Sequence, residues 1–168
     1  MHLAYRRVSN GGEPLKMNRS SKNFLGRPES IKIKKNQIII PSSLDFLPKV
    51  DEYVEGKLRK LVADKNKLAD IAISVTEAVT NAVVHGNKND LKKKVQIKLK
   101  AEPSCVEITV EDEGNGFDPE SIRSPIDEGS LLKEAGRGIF ILKSLMDKVD
   151  FIIQPQKGTV VRMIKFLS

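Results

Sequence analysis

LADIAISVTEAVTNAVVHGN, Leu68 to Asn87, is the segment from which the rest of the chain can be read. Its apolar residues Leu68, Ile71, Ala72, Val75, Val79, Ala82 and Val83 recur at helical intervals, so one side of a helix packs against a core, and Gly86 ends it. A second row runs along the margin of that face. Glu77, Asn81 and His85 follow one another at four-residue steps, each turned only about 40° from the last on a helix of 3.6 residues per turn. A carboxylate, an amide and an imidazole in line can serve as proton acceptor, metal ligand and phosphate contact. The same row also fits the solvated edge of an amphipathic helix, and on this helix alone the two readings stay open.

Composition sets the surroundings. A chain of 168 residues suffices for one domain that buries about 70% of its unfolded surface without staples. Cys105 is the single cysteine, which excludes an intramolecular disulfide and a multi-cysteine zinc site and fits a reducing, cytoplasmic setting. No apolar run approaches the ~20 residues needed to cross a bilayer, and the N-terminus lacks the apolar core of a secretion signal. The expectation is a soluble protein with no membrane contact.

Charge divides the chain in two. Residues 1–35 carry nine basic side chains (Arg6, Arg7, Lys16, Arg19, Lys22, Arg27, Lys32, Lys34, Lys35) against Glu13 and Glu29, an excess that equals the net charge of +7 for the whole chain. The remainder is therefore neutral overall. Rich in Ser, Asn and Gly, the leader reads as a flexible basic extension, with the folded domain at 36–168. A nucleic-acid-binding domain would carry the basic excess on its own body, so direct nucleic-acid binding is not expected.

In chain order, NQIII reads as a short strand stopped by Pro41. SSLDFLP offers Ser43 and Asp45 as helix caps with Pro48 in a first turn, and Val50, Val54, Leu58, Leu61 and Val62 form the apolar stripe of the helix that follows. ADKNK is a polar turn before the Leu68 helix, and NKNDLKKK beyond Gly86 reads as a solvated basic loop. Val95, Ile97, Leu99 and Ala101 alternate with polar residues, as do Val106, Ile108 and Val110, with a hairpin turn at EPS between the two strands. Such alternation implies a sheet packed on one face and wet on the other.

The alternation carries Asp112 to the inward side, where an ionised carboxylate needs a partner, whether solvent at the strand end, the following turn that it caps or a ligand. Gly114 and Gly116 follow at once, permitting positive φ and close approach by a bound molecule, although glycines after a strand are also ordinary turn residues. Asp118 to Ala135 lacks periodicity, and so long an irregular segment is either disordered or functional, often as a lid. In GRGIFILKSLMDKVD, Gly136 and Gly138 precede an apolar helix bearing Ile139, Leu142, Leu145 and Met146, and a glycine-rich entry to a helix N-terminus suits an anion. VDFIIQ and GTVVRMIKF close the chain as two strands with a turn through Pro155 and Gly158, and Thr159 shares an inward face with Val161 and Met163.

The order of these features is specific: a polar-striped helix, a strand ending in Asp-x-Gly-x-Gly, a loop and a glycine-opened helix. EAVTNAVVHGN, EDEGNGF and EAGRGIFILKSLMD resemble the Bergerat-type, histidine-kinase-like ATP-binding fold, and within it the anti-sigma-factor serine kinases of bacterial partner-switching modules. The resemblance covers about residues 36–168. It implies an α/β (α+β) two-layer sandwich in which a mixed, mostly antiparallel sheet carries helices on one face. It also implies that Glu77 is the general base toward a substrate serine and that Asn81 ligates Mg²⁺. Asp112 accepts from the adenine amino group, Gly114 and Gly116 make room for the base, and Gly136, Arg137 and Gly138 close over the phosphates. Thr159 lies near the adenine and His85 faces phosphate. With His2 and His85 the only histidines, self-phosphorylation on histidine is not expected. The activity implied is transfer from ATP to serine of a small antagonist protein by a homodimer that also binds a sigma factor, paired through the sheet edge or the first helix. The alternative is a nucleotide-binding module that sequesters its partner without kinase activity.

Overall fold

The computed structural model describes residues 30–116, 134–154 and 156–168, so the 118–135 lid reading lies almost wholly outside the described residues. Six strands, β1 (Lys32–Lys34), β2 (Gln37–Pro41), β3 (Lys94–Glu102), β4 (Cys105–Asp112), β5 (Lys148–Gln154) and β6 (Gly158–Phe166), form one sheet in the order β1-β2-β3-β4-β6-β5. Every pair among them is antiparallel, so no parallel pairing of the kind a mixed sheet contains occurs among the described residues. Helices α1 (Leu47–Leu58), α2 (Lys65–Asn81) and α3 (Glu134–Leu145) complete the fold.

The period-2 pattern places Ile38 and Ile40 of β2, Val95 and Ile97 of β3, Val106, Ile108 and Val110 of β4 and Met163 of β6 in one core, all essentially without solvent contact. Against them pack Val50, Val54 and Leu58 of α1, Ile71, Val75 and Val79 of α2, and Leu142 and Met146 of α3. The expected stripe of α1 is therefore used up inside the domain. On the outer sheet face Lys98 pairs with Glu111 at 3.3 Å and Arg162 with Glu107 at 2.6 Å, the latter holding the Glu107 carboxyl below its usual range through the hydrogen bond. That is the wet face that the alternation required.

Several sequence expectations need correction. Lys32–Lys34, assigned to the leader, pair with β2 as an edge strand, so the sheet begins before residue 36. Ala72 is exposed although it lies in the expected stripe of α2, and Ala101 is exposed at the hairpin end of β3. Helix α2 begins at Lys65, not Leu68, because the Asp64 side chain caps it, accepting from the amides of Asn66 (2.8 Å) and Lys67 (3.4 Å). Ser43 caps a short 3₁₀ turn, Leu44–Phe46, that leads into α1 with Pro48 in its first turn, as its position suggested. Gly136 and Gly138 lie inside α3 instead of ahead of it.

Candidate functional site

Helix α2 does not run to Gly86 as a plain α-helix. At Ala82–Gly86 it widens into a π turn, closed by the Asn87 amide donating to Ala82 O at 2.8 Å, a bond that spans five residues. Such widened turns are frequent at functional sites. This one lays the Gly86 backbone against the end of β4, where a β-carbon on Gly86 would sit 2.5 Å from Asp112 Cγ. Asn87, fully buried, then ties the segment down by donating to Lys94 O and accepting from the Glu113 amide, both at 2.9 Å.

Asp112 is 5% exposed, as the alternation required. Its Oδ1 accepts from the amides of Gly114 (2.8 Å) and Thr159 (3.2 Å). Burial pushes its carboxyl above the ordinary aspartate value; the two amide bonds and the charge of Lys93 oppose that push, while neighbouring Glu111 adds to it. Three glycines leave the room it occupies. A side chain at Gly114 would run into Gly86 O, one at Gly158 would run into Asp112 O, and Gly158 also holds φ of +111°. Gly114 is thus needed for close packing, whereas Gly116, at φ +80°, does adopt the left-handed backbone.

Around this carboxylate lies a cavity of about 320 Å³, within the range of small-molecule sites. Asn81, His85 and Gly86 come from α2 and its π turn, Asn115 and Gly116 from the segment after β4, and Thr159 from β6. Ala78, Ala82, Val110, Ile139, Phe151 and Val161 supply an apolar lining suited to a flat ring. The polar ridge and the inward aspartate therefore border one space. Glu77 stands beside it, and Gly138 of α3 is seated on the pair: a β-carbon there would lie 3.1 Å from Glu77 Oε2 and 3.0 Å from Asn81 Nδ2. Thr159 lines the cavity and donates to Asp112 through its amide. Arg137 is exposed and does not line the cavity, and of Gly136 only the helical backbone is described.

The loop after Gly86 is not wholly solvated. Lys88 and Lys93 line the cavity, presented by a turn in which Lys88 and Asn89 take φ of 58° and 56°. The signal for Lys93 was present in the strand alternation, since it stands two residues ahead of inward-facing Val95. Asn87 carried no such signal, because its partners come from β3 and from the segment after β4. Among the described residues no three His, Cys, Asp or Glu side chains cluster as a metal cage. The Asn81 amide oxygen and the Glu77 carboxylate nevertheless suit a hard cation that takes its other ligands from phosphate and water.

The histidine kinase-like ATPase domain profile matches residues 40–165. An anti-sigma F factor of Oceanobacillus iheyensis is 39% identical over 117 residues, covering 68% of this chain and 80% of the relative. The anti-sigma F factor of Bacillus subtilis is 37% identical over the same shares, and the serine-protein kinase RsbW of Staphylococcus aureus is 31% identical over 136 residues, 77% of this chain and 84% of the relative. A crystal structure of the RsbU and RsbW domains of a Mycobacterium tuberculosis protein superposes with a TM-score of 0.55 at 18% identity, over 77% of this chain and 31% of that one, a likeness of fold.

Proposed function

Because the chain belongs to the histidine kinase-like ATPase family, alongside anti-sigma F factors and a serine-protein kinase, we propose that it is an ATP-dependent protein serine kinase and anti-sigma factor. It binds a sigma factor and phosphorylates a small antagonist protein on serine. The observation that carries this reading is the placement of Asp112, Asn81 and His85 on one cavity with Glu77 at its side.

In this reading the adenine lies between the apolar walls and gives its amino hydrogen to Asp112, whose Oδ1 already holds two amides. The space kept by Gly86, Gly114, Gly116 and Gly158 admits the base edge, with Thr159 beside it. The phosphates extend toward Asn81, His85 and α3, whose Gly136, Arg137 and Gly138 close over them. Asn81 would hold Mg²⁺, which would supply positive charge against the phosphates. Glu77 takes the proton of the substrate serine hydroxyl as its oxygen bonds to the γ-phosphorus and the bond to ADP breaks. Sigma factor and antagonist compete for one surface, biased by the nucleotide present.

The protein acts in the cytoplasm, and among the described residues no helix is long and apolar enough to cross a membrane. It works as a homodimer, and since the apolar stripe of α1 is buried in the core, the sheet edge at Lys32–Lys34 is the favoured pairing surface. The basic segment ahead of that edge is an extension to the catalytic domain. Incubation with γ-labelled ATP, magnesium and an antagonist protein tests the whole reading: label appears on an antagonist serine. ATP binding with no transfer to any partner serine would reject the kinase.

A further inference from the structure

Lys93 is held in place from both sides. Its amide donates to Asp90 O at 2.9 Å, and its carbonyl accepts from the Ser42 amide at 3.0 Å, which continues the β2–β3 ladder one residue beyond β3. On the other side of β3, in the β3–β4 ladder, Val95, fully buried, stands opposite Asp112. Residues two apart share a face, so Lys93 is directed to the inner side next to Asp112, and it lines the cavity. Neither Lys93 nor Lys88 has an ion-pair partner among the described residues. An unpaired ammonium thus stands beside Asp112, which in this reading is the base end of the site, whereas the phosphates lie toward Asn81 and α3.

We propose that Lys93 is a specificity residue for the base: its ammonium donates to a ring nitrogen of adenine while Asp112 accepts from the adjacent exocyclic amino group. The inference rests on the reading of the cavity as an ATP site. A neighbouring donor and acceptor on the protein then match the acceptor and donor on that edge of the base. The same cation also opposes the burial that favours a protonated Asp112, against Glu111, with Lys88 and His85 as the other titratable groups on the cavity and Glu113 engaged by the Lys94 amide at 2.7 Å.

Calorimetry on the full chain with ATP, adenosine and inorganic tripolyphosphate separates the possibilities. Lys93→Gln weakens ATP and adenosine by the same factor, about tenfold for one charge-assisted hydrogen bond, and leaves tripolyphosphate unchanged; Lys93→Arg restores most of the loss. The ATP affinity of Lys93→Gln also falls at a higher pH on acidification than that of the unmodified chain, because Asp112 then protonates sooner, and Lys93→Arg, which keeps the charge, returns the profile toward that of the unmodified chain. Loss of ATP and tripolyphosphate affinity with adenosine intact would make Lys93 a phosphate contact and overturn the inference, as would unchanged affinity for all three. Failure of the unmodified chain to bind either ATP or adenosine would instead overturn the nucleotide site itself, and the inference with it.

Discussion

Replacing Asp112 by asparagine should weaken nucleotide binding and stabilise the empty protein, and the opposite signs make the test sharp. Oδ1 of Asp112 accepts from the Gly114 amide at 2.8 Å and the Thr159 amide at 3.2 Å, so an asparagine keeps both bonds only with its oxygen in that place. Its NH₂ then takes the position of Oδ2 and meets the adenine amino group donor to donor. Flipping the amide would restore the acceptor but abandon two buried amides. Either way one hydrogen bond to a charged acceptor is lost, about 1.5–3 kcal/mol, or roughly 10- to 150-fold in Kd for ATP. Stability moves the other way. Burial raises the carboxyl of folded Asp112 above the ordinary 3.8, so the native state binds the proton more tightly than the unfolded chain does. That stabilisation is full below 3.8 and is lost as pH rises through the elevated folded value. At neutral pH the wild-type protein carries the whole cost of the ionised buried group. Asp112→Asn should therefore melt at or above the wild-type temperature at pH 7, with the advantage vanishing near pH 3. Calorimetric titration with ATP and thermal melts across pH measure both. Unchanged ATP affinity, or a neutral-pH melt well below wild type, would refute the reasoning.

Other positions test other parts of the account. Glu77→Ala should retain ATP binding by calorimetry while phosphoryl transfer to an antagonist serine drops about 10²- to 10⁴-fold, the scale of a positioned base; undiminished transfer would remove Glu77 from that role. Gly138→Ala places a methyl 3.0 Å from Asn81 Nδ2 and 3.1 Å from Glu77 Oε2, so transfer should fall about tenfold through misplacement, with a smaller change in ATP affinity; equal losses in both would argue for general disruption. Asp64→Ala removes the cap of α2 and should lower stability by about 0.5–2 kcal/mol in urea titrations, with kcat preserved in the protein that remains folded.

Local chemistry alone specified most of the elements. Alternation in β3 and β4 and the stripes of α1 and α2 follow from backbone periods, and these carried the sheet, the helical layer and the inward aspartate. The row Glu77, Asn81, His85 was legible because four-residue spacing is a property of any helix. The order of short motifs then pointed to the ATP-binding fold. What sequence spacing could not supply was contact between distant segments. The π turn at Ala82–Gly86 and the edge strand Lys32–Lys34 depend on what packs beside them. Burial of Asn87, the seating of Gly138 on Glu77 and Asn81, and the entry of Lys88 and Lys93 into the cavity arise only once β3, β4 and α3 meet around α2. Backbone periodicity is encoded residue by residue, whereas the close packing that converts a polar ridge and a buried carboxylate into one site is a property of the assembled chain.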